Sequence, residues 1–295
     1  MQIYLQKIAH LLKMLYLCTV IGIFDSGYGG LTILNSIRRR LPEYDYLYLG
    51  DNARAPYGTR SFDVIYRYTL EAVNRLFSEG CRLVILACNT ASAKALRSIQ
   101  MHDIDPATHR VLGVIRPTVE AVPTLTHNGH IGILATPGTV ASHSYVLELE
   151  KLHAAMPFAV SQQPCPMWVP LIEAGEHTDA GADFFVQKYL ADLMEQDPEI
   201  DTILLGCTHY PLLMDKIQQA VRQLSPARPI RIVAQGDIVA DSLADYLRRH
   251  PEIAQDCSKH ASCRFLTTES ADKFASSAAV FLGDSSSLTA TSITL

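Results

Sequence analysis

The 295-residue chain contains no CxxC pair, no P-loop lysine motif, no excess of basic charge and no apolar run long enough to cross a bilayer. Its seven cysteines are odd in number and scattered, which argues against zinc ribbons and disulfide scaffolds and fits a reducing cytoplasm. Lysine plus arginine is 25 against 30 for aspartate plus glutamate, a formal charge of −5, so a nucleic-acid surface is not indicated. The longest apolar runs fall short of the ~18–20 residues a membrane span needs. Charged residues make up only 19% of the chain and apolar residues 48%. That is the composition of a soluble globular protein, with any disorder confined to short segments. At about 150 residues per domain, the length predicts two domains or one large one. The apolar first twenty residues carry Lys7 and Lys13 but no small-residue cleavage site before Ile21. They are read as a short extension, compatible with a start at Met14, and not as a signal peptide.

Against these absences stands one repeated pattern. Short apolar, β-branched runs end abruptly in small or polar residues and lead into helical stretches. The run 19–24 leads into Asp25-Ser26-Gly27, 46–49 into Gly50-Asp51-Asn52, 83–87 into Cys88-Asn89-Thr90, and 111–115 into Arg116-Pro117-Thr118. Further on, 131–135 leads into Thr136-Pro137-Gly138, 203–206 into Cys207-Thr208-His209, and 230–234 into Gln235-Gly236-Asp237. Continuous rather than alternating apolar runs are strands covered on both faces, so the fold is α/β with largely parallel sheets flanked by helices. Ligands in such sheets bind beyond the carboxyl ends of the strands, where these polar triplets fall.

Segment 21–27 parallels 131–137, and 84–90 parallels 203–209. The two matches keep order and similar offset, as a duplicated α/β unit requires. Two facing copies put Cys88 and Cys207 on opposite walls of one cleft. The boundaries predicted are an extension over 1–19, a first lobe of 20–117 plus 226–283, a second lobe of 118–225, and a loose Ser/Thr-rich tail over 284–295.

Cys88 precedes Asn89 and Thr90 at an expected helix start, where unsatisfied N–H groups favour thiolate. Cys207, followed by Thr208 and His209, repeats the arrangement, whereas Cys18, Cys81, Cys165, Cys257 and Cys263 lack such partners and read as structural. The loop Asp25-Ser26-Gly27-Tyr28-Gly29-Gly30 is a weak phosphate-cradle signal. Asp25 at its head would repel phosphate and suits a cationic partner or a neighbour of a catalytic acid, while Ser26 and the glycines also fit a plain helix cap. The turn around Pro56, Tyr57 and Gly58 places a backbone N–H and the Tyr57 hydroxyl near an anionic ligand. Glu173 is either an exposed helix residue or a helper carboxylate.

Four motifs together resemble, in order and spacing, the signatures of glutamate racemase: Phe24-Asp25-Ser26-Gly27-Tyr28-Gly29-Gly30-Leu31, Gly50-Asp51-Asn52-Ala53-Arg54-Ala55-Pro56-Tyr57-Gly58, Ala87-Cys88-Asn89-Thr90-Ala91-Ser92 and Gly206-Cys207-Thr208-His209-Tyr210-Pro211-Leu212. The similarity runs over about 20–283. It implies cofactor-independent inversion of glutamate at its α-carbon, supplying D-glutamate for peptidoglycan. Two α/β lobes enclose the substrate, usually in a cytoplasmic homodimer, with no metal and no pyridoxal phosphate. By matching positions, Cys88 and Cys207 are the acid/base pair, assisted by Asp25 and His209 with Glu173 as a further helper. Cys207 deprotonates L-glutamate and Cys88 D-glutamate. Asp25, Ser26, Tyr57, Gly58, Asn89, Thr90, Thr118 and Thr208 are the expected substrate contacts. Thr118 follows Arg116-Pro117, where the family pattern has a smaller residue. An aspartate racemase, a related two-cysteine isomerase and a non-catalytic amino-acid-binding protein are the alternatives.

Overall fold

A computed structural model describes residues 19–283 and 288–295. The expected N-terminal extension therefore lies outside the described residues except for Thr19. Its strands are β1 (Ile21–Asp25), β2 (Tyr46–Gly50), β3 (Leu83–Leu86), β4 (Arg110–Gly113), β5 (His130–Ala135), β6 (Ala159–Pro164), β7 (Thr202–Gly206), β8 (Arg231–Val233), β9 (Cys263–Thr267) and β10 (Ala290–Ser292). They form two sheets, ordered β10-β9-β2-β1-β3-β4 and β6-β5-β7-β8. Every recorded strand pairing is parallel. The central strands β1, β2, β3 and β7 are buried along their whole length, as their continuous apolar sequences require.

The duplication is visible in the topology. The order β2-β1-β3-β4 in one sheet is repeated as β6-β5-β7-β8 in the other, so β1 corresponds to β5 and β3 to β7. Cys88 and Cys207, which follow β3 and β7 respectively, thus occupy corresponding places.

Three boundaries differ from expectation. The expected strand 111–115 stops at Gly113, and a helix begins at Ile115. The expected return to the first lobe from 226 comes later, because β8 pairs with β7 in the second sheet. It takes the place that β4 holds in the first, and the return follows at Gln235. The tail expected to be loose carries β10 on the edge of β9. Edge pairing uses backbone groups that Ser and Thr supply as well as any residue, and Ile293 and Leu295 pack against the core.

Asp45 clamps the segment leading into β9. Its carboxylate accepts from Ser262 N at 2.8 Å and Ser262 Oγ at 2.6 Å, and it meets His260 Nδ1 at 2.7 Å. Burial opposes its charge, but hydrogen bonds from Ser258, Ser262 and His260 outweigh that cost and hold the carboxyl well below its ordinary range. A carboxylate depressed in the native state stabilises the fold above its unfolded pKa and loses that contribution as pH falls toward the native value. Asp45→Asn is therefore expected to lower unfolding free energy by about 1–3 kcal/mol near neutral pH. Urea titrations across pH should find the gap to wild type narrowing below about pH 4. A gap that persists unchanged into acid contradicts the assignment.

Candidate active site

The site is built from the residues that follow β1, β3 and β7. After β1, the buried Asp25 begins a tight turn whose helix starts at Gly30. Asp25 Oδ2 accepts from Gly27 N at 3.0 Å, while Oδ1 is buried without a partner among the described residues. Burial raises the Asp25 pKa, against the opposing pull of His209 and the N–H groups of Gly30 and Gly27. Gly29 is required by close approach: a Cβ there would lie 2.3 Å from His209 Nδ1 and 2.4 Å from Thr208 Oγ1. The first lobe thus touches the second at the residues next to Cys207.

After β3, Cys88 caps the helix Asn89–Lys94, with Ala91 N donating to its sulfur at 3.4 Å. The Cys88 thiol donates to Ser26 Oγ at 3.3 Å. Burial, and then the neighbouring Asp25, push the thiol up to about 12. This reverses the expectation of a thiolate at the helix start. The single turn of exposed N–H dipoles is outweighed by desolvation of the charged form.

After β7, Cys207 is followed by His209 and a 3-10 turn, Tyr210–Leu213, before the next helix begins at Met214. It does not cap a helix as Cys88 does, so the repeat is imperfect here. Tyr210 fixes this turn by packing on Trp168 at a ring separation of 4.6 Å and donating to Cys165 O at 3.2 Å. Both rings are fully buried, each contributing several kcal/mol by area at roughly 25 cal/mol/Å². His209 presents Nδ1 to Cys207 Sγ at 3.9 Å and Nε2 to Glu173 Oε1 at 3.0 Å. Burial disfavours a charged imidazole, but hydrogen bonds to Cys207 and Glu173, reinforced by their charges, raise His209 to about 10. One sulfur therefore stands beside a buried carboxylate and the other beside a cation.

A cavity of about 70 Å³ brings together Cys88, Cys207, Ser26, Tyr57, Gly58, Asn89, Thr90, Glu173, Thr208 and His209. Asp25 sits behind Cys88 and Ser26 and does not line it. Thr118 is absent from the lining too: it is fully buried, donates to Val114 O at 2.8 Å and accepts from Gln235 Nε2 at 2.8 Å. The Tyr57 hydroxyl, expected to face an anion, instead donates to the buried Asp51. What Tyr57 offers the cavity is its ring and backbone. The lining residues that sequence did not select include Cys165 and Thr136. Cys165 was read as structural, and Thr136, whose hydroxyl lies 2.9 Å from that of Thr90, occupies the repeat position of Ser26. The match of 21–27 to 131–137 already aligns it with Ser26.

The sequence profile of the Asp/Glu/hydantoin racemase family matches residues 31–243. A glutamate racemase of Cereibacter sphaeroides is 43% identical over 272 residues, covering 89% of this chain and 96% of that protein. One from Dinoroseobacter shibae is 41% identical over the same length, covering 89% and 95%. The chain belongs to the glutamate racemase family. Among solved structures, glutamate racemase isoform RacE1 from Bacillus anthracis superposes with a TM-score of 0.83 at 32% identity, covering 94% of this chain and 98% of that one. The Francisella tularensis glutamate racemase in complex with D-glutamate gives 0.80 at 29% identity, covering 94% and 97%. An aspartate racemase from Picrophilus torridus, at 16% identity and a TM-score of 0.52 over 78% of this chain and 94% of that one, shares the fold alone.

The raised Cys88 thiol is measurable before any substrate is added. Alkylation of Cys88 by iodoacetamide, followed by peptide mass spectrometry, is expected to keep accelerating beyond pH 10, about tenfold per pH unit while the thiol form dominates. A rate that levels off below pH 9 contradicts the raised thiol.

Proposed function

We propose that the protein interconverts L- and D-glutamate by two-base proton transfer at the α-carbon, supplying D-glutamate for peptidoglycan. The observation that carries this reading is a pair of cysteines in one small cavity with opposite electrostatic neighbours. Inverting a carbon centre without a cofactor requires a proton to leave one face and another to arrive on the opposite face. One side chain cannot serve both faces, and two thiols in corresponding places can.

In the direction from L-glutamate, the Cys207 sulfur, as thiolate beside the His209 imidazolium, takes the α-proton. The Cys88 thiol, whose proton is held by burial and by Asp25, delivers its own proton to the other face. Cys207 ends as thiol and Cys88 as thiolate, and the reverse reaction begins from that state. The hydroxyls of Thr90 and Thr208 are assigned to the substrate carboxylate, where hydrogen bonds offset the charge that develops next to it, and the Asn89 amide is assigned to binding the same carboxylate. Ser26, Gly58 and the Tyr57 backbone are assigned to the rest of the substrate. Glu173 holds His209 charged and oriented. By family resemblance we assign a homodimer in the cytoplasm, and the free state of Cys81, Cys88, Cys165, Cys207, Cys257 and Cys263 suits a reducing compartment.

Circular dichroism of L-glutamate solutions tests the proposal. Wild type is expected to racemise glutamate, and L-aspartate, one methylene shorter, about 10–200-fold more slowly. Cys88→Ser and Cys207→Ser are each expected to reduce kcat by about 10²–10⁴-fold. Wild-type kcat in either variant contradicts the paired-thiol mechanism.

A further inference from the structure

At the junction of the two lobes, Asn89, Gln235 and Tyr145 form a closed ring of hydrogen bonds. Asn89 Nδ2 donates to Gln235 Oε1 at 2.6 Å. Gln235 Nε2 donates to the Tyr145 hydroxyl at 2.8 Å, and that hydroxyl donates to Asn89 Oδ1 at 2.7 Å. All three residues are at least 95% buried. The ring joins a residue after β3 in the first lobe, the helix Ser144–Leu152 of the second, and the segment by which the chain returns to the first. Gln235 is itself anchored, because its Nε2 also reaches Thr118 Oγ1 at 2.8 Å and Val114 O at 3.3 Å. Thr118 spends its own proton on Val114 O, so its oxygen is left to accept. Gln235 must therefore turn its NH2 group toward Thr118 and its carbonyl toward Asn89.

That constraint passes to Asn89. If the Asn89 amide were flipped, its carbonyl oxygen would meet the carbonyl oxygen of Gln235, an unpaired contact between buried acceptors that costs more than any neutral rearrangement recovers. With the observed orientation, one Nδ2 hydrogen goes to Gln235 and the second remains for the cavity that Asn89 lines. We propose that Gln235 is a positioning residue that, through this ring, makes Asn89 present an N–H donor and not a carbonyl to the substrate carboxylate. This rests on the reading of the site as a glutamate racemase. Thr118, which does not touch the cavity, serves the substrate at second hand by anchoring Gln235.

Steady-state kinetics with L- and D-glutamate, alongside thermal unfolding, test the proposal. Gln235→Met keeps the side-chain length and removes the amide. It is expected to raise KM about tenfold in both directions with kcat changed by less than about threefold, the signature of lost carboxylate binding. A merely structural role for Gln235 lowers the unfolding temperature and the active fraction but leaves KM where it was, and that result overturns the proposal. If Gln235→Met fails to fold, Thr118→Val decides: it removes the acceptor that turns the Gln235 amide, and a raised KM supports the proposal while an unchanged KM overturns it. Wild-type protein without glutamate turnover would overturn the proposed function and this inference together, whereas turnover with unaltered KM in the variants overturns this inference alone.

Discussion

The ion pair of His209 with Glu173, in the wall of the cavity, is the interaction on which the proposed chemistry depends. A buried imidazole is ordinarily neutral, because charge is costly away from water. Here two acceptors, the Cys207 sulfur and the Glu173 carboxylate, share its two nitrogens, and the proton stays. Across the cavity the opposite condition holds, since Asp25 and burial keep the proton on Cys88. In the proposed mechanism, the difference between the two walls gives direction to the first proton transfer. Each half-reaction leaves the walls exchanged, so neither can be locked permanently in one state.

The fold supplies this opposition by repeating itself. A sheet order shared by both lobes puts one cysteine after the third strand of each, and parallel strands aim both at the same crevice. The repetition is not exact where the chemistry differs. Cys88 caps a helix directly, whereas Cys207 is followed by a 3-10 turn that brings His209 back toward the sulfur. Glycine at position 29 lets the lobes meet at that turn, and a side chain there would displace the imidazole from its partner.

Much of this was legible in the sequence. Buried parallel strands announce themselves as unbroken apolar runs, and the cysteines stood out because polar, helix-starting residues followed them. What could not be read follows from the same physics. The edge strand β6 contains Ser161, Gln162 and Gln163 and has no apolar run to notice. Thr118 looked like a cavity residue because a polar side chain after an apolar run reads alike whether it meets a ligand or anchors a buried amide. The Tyr57 hydroxyl found Asp51, a partner near in space whose direction no spacing rule reveals. The Cys88 thiol was expected to ionise because the helix start is visible in sequence, while the burial that overrides it is not. Thr136 was within reach, since its alignment with Ser26 follows from the repeat.

The account rests on protons entering and leaving by different sulfurs, and the fate of the α-hydrogen in deuterated water tests that most directly. Starting from protiated L-glutamate and stopping early, D-glutamate should carry deuterium at the α-carbon almost completely, while the remaining L-glutamate stays protiated. D-glutamate that retains the original hydrogen would mean that a single group moves the proton from one face to the other, and the opposed-thiol account would fail.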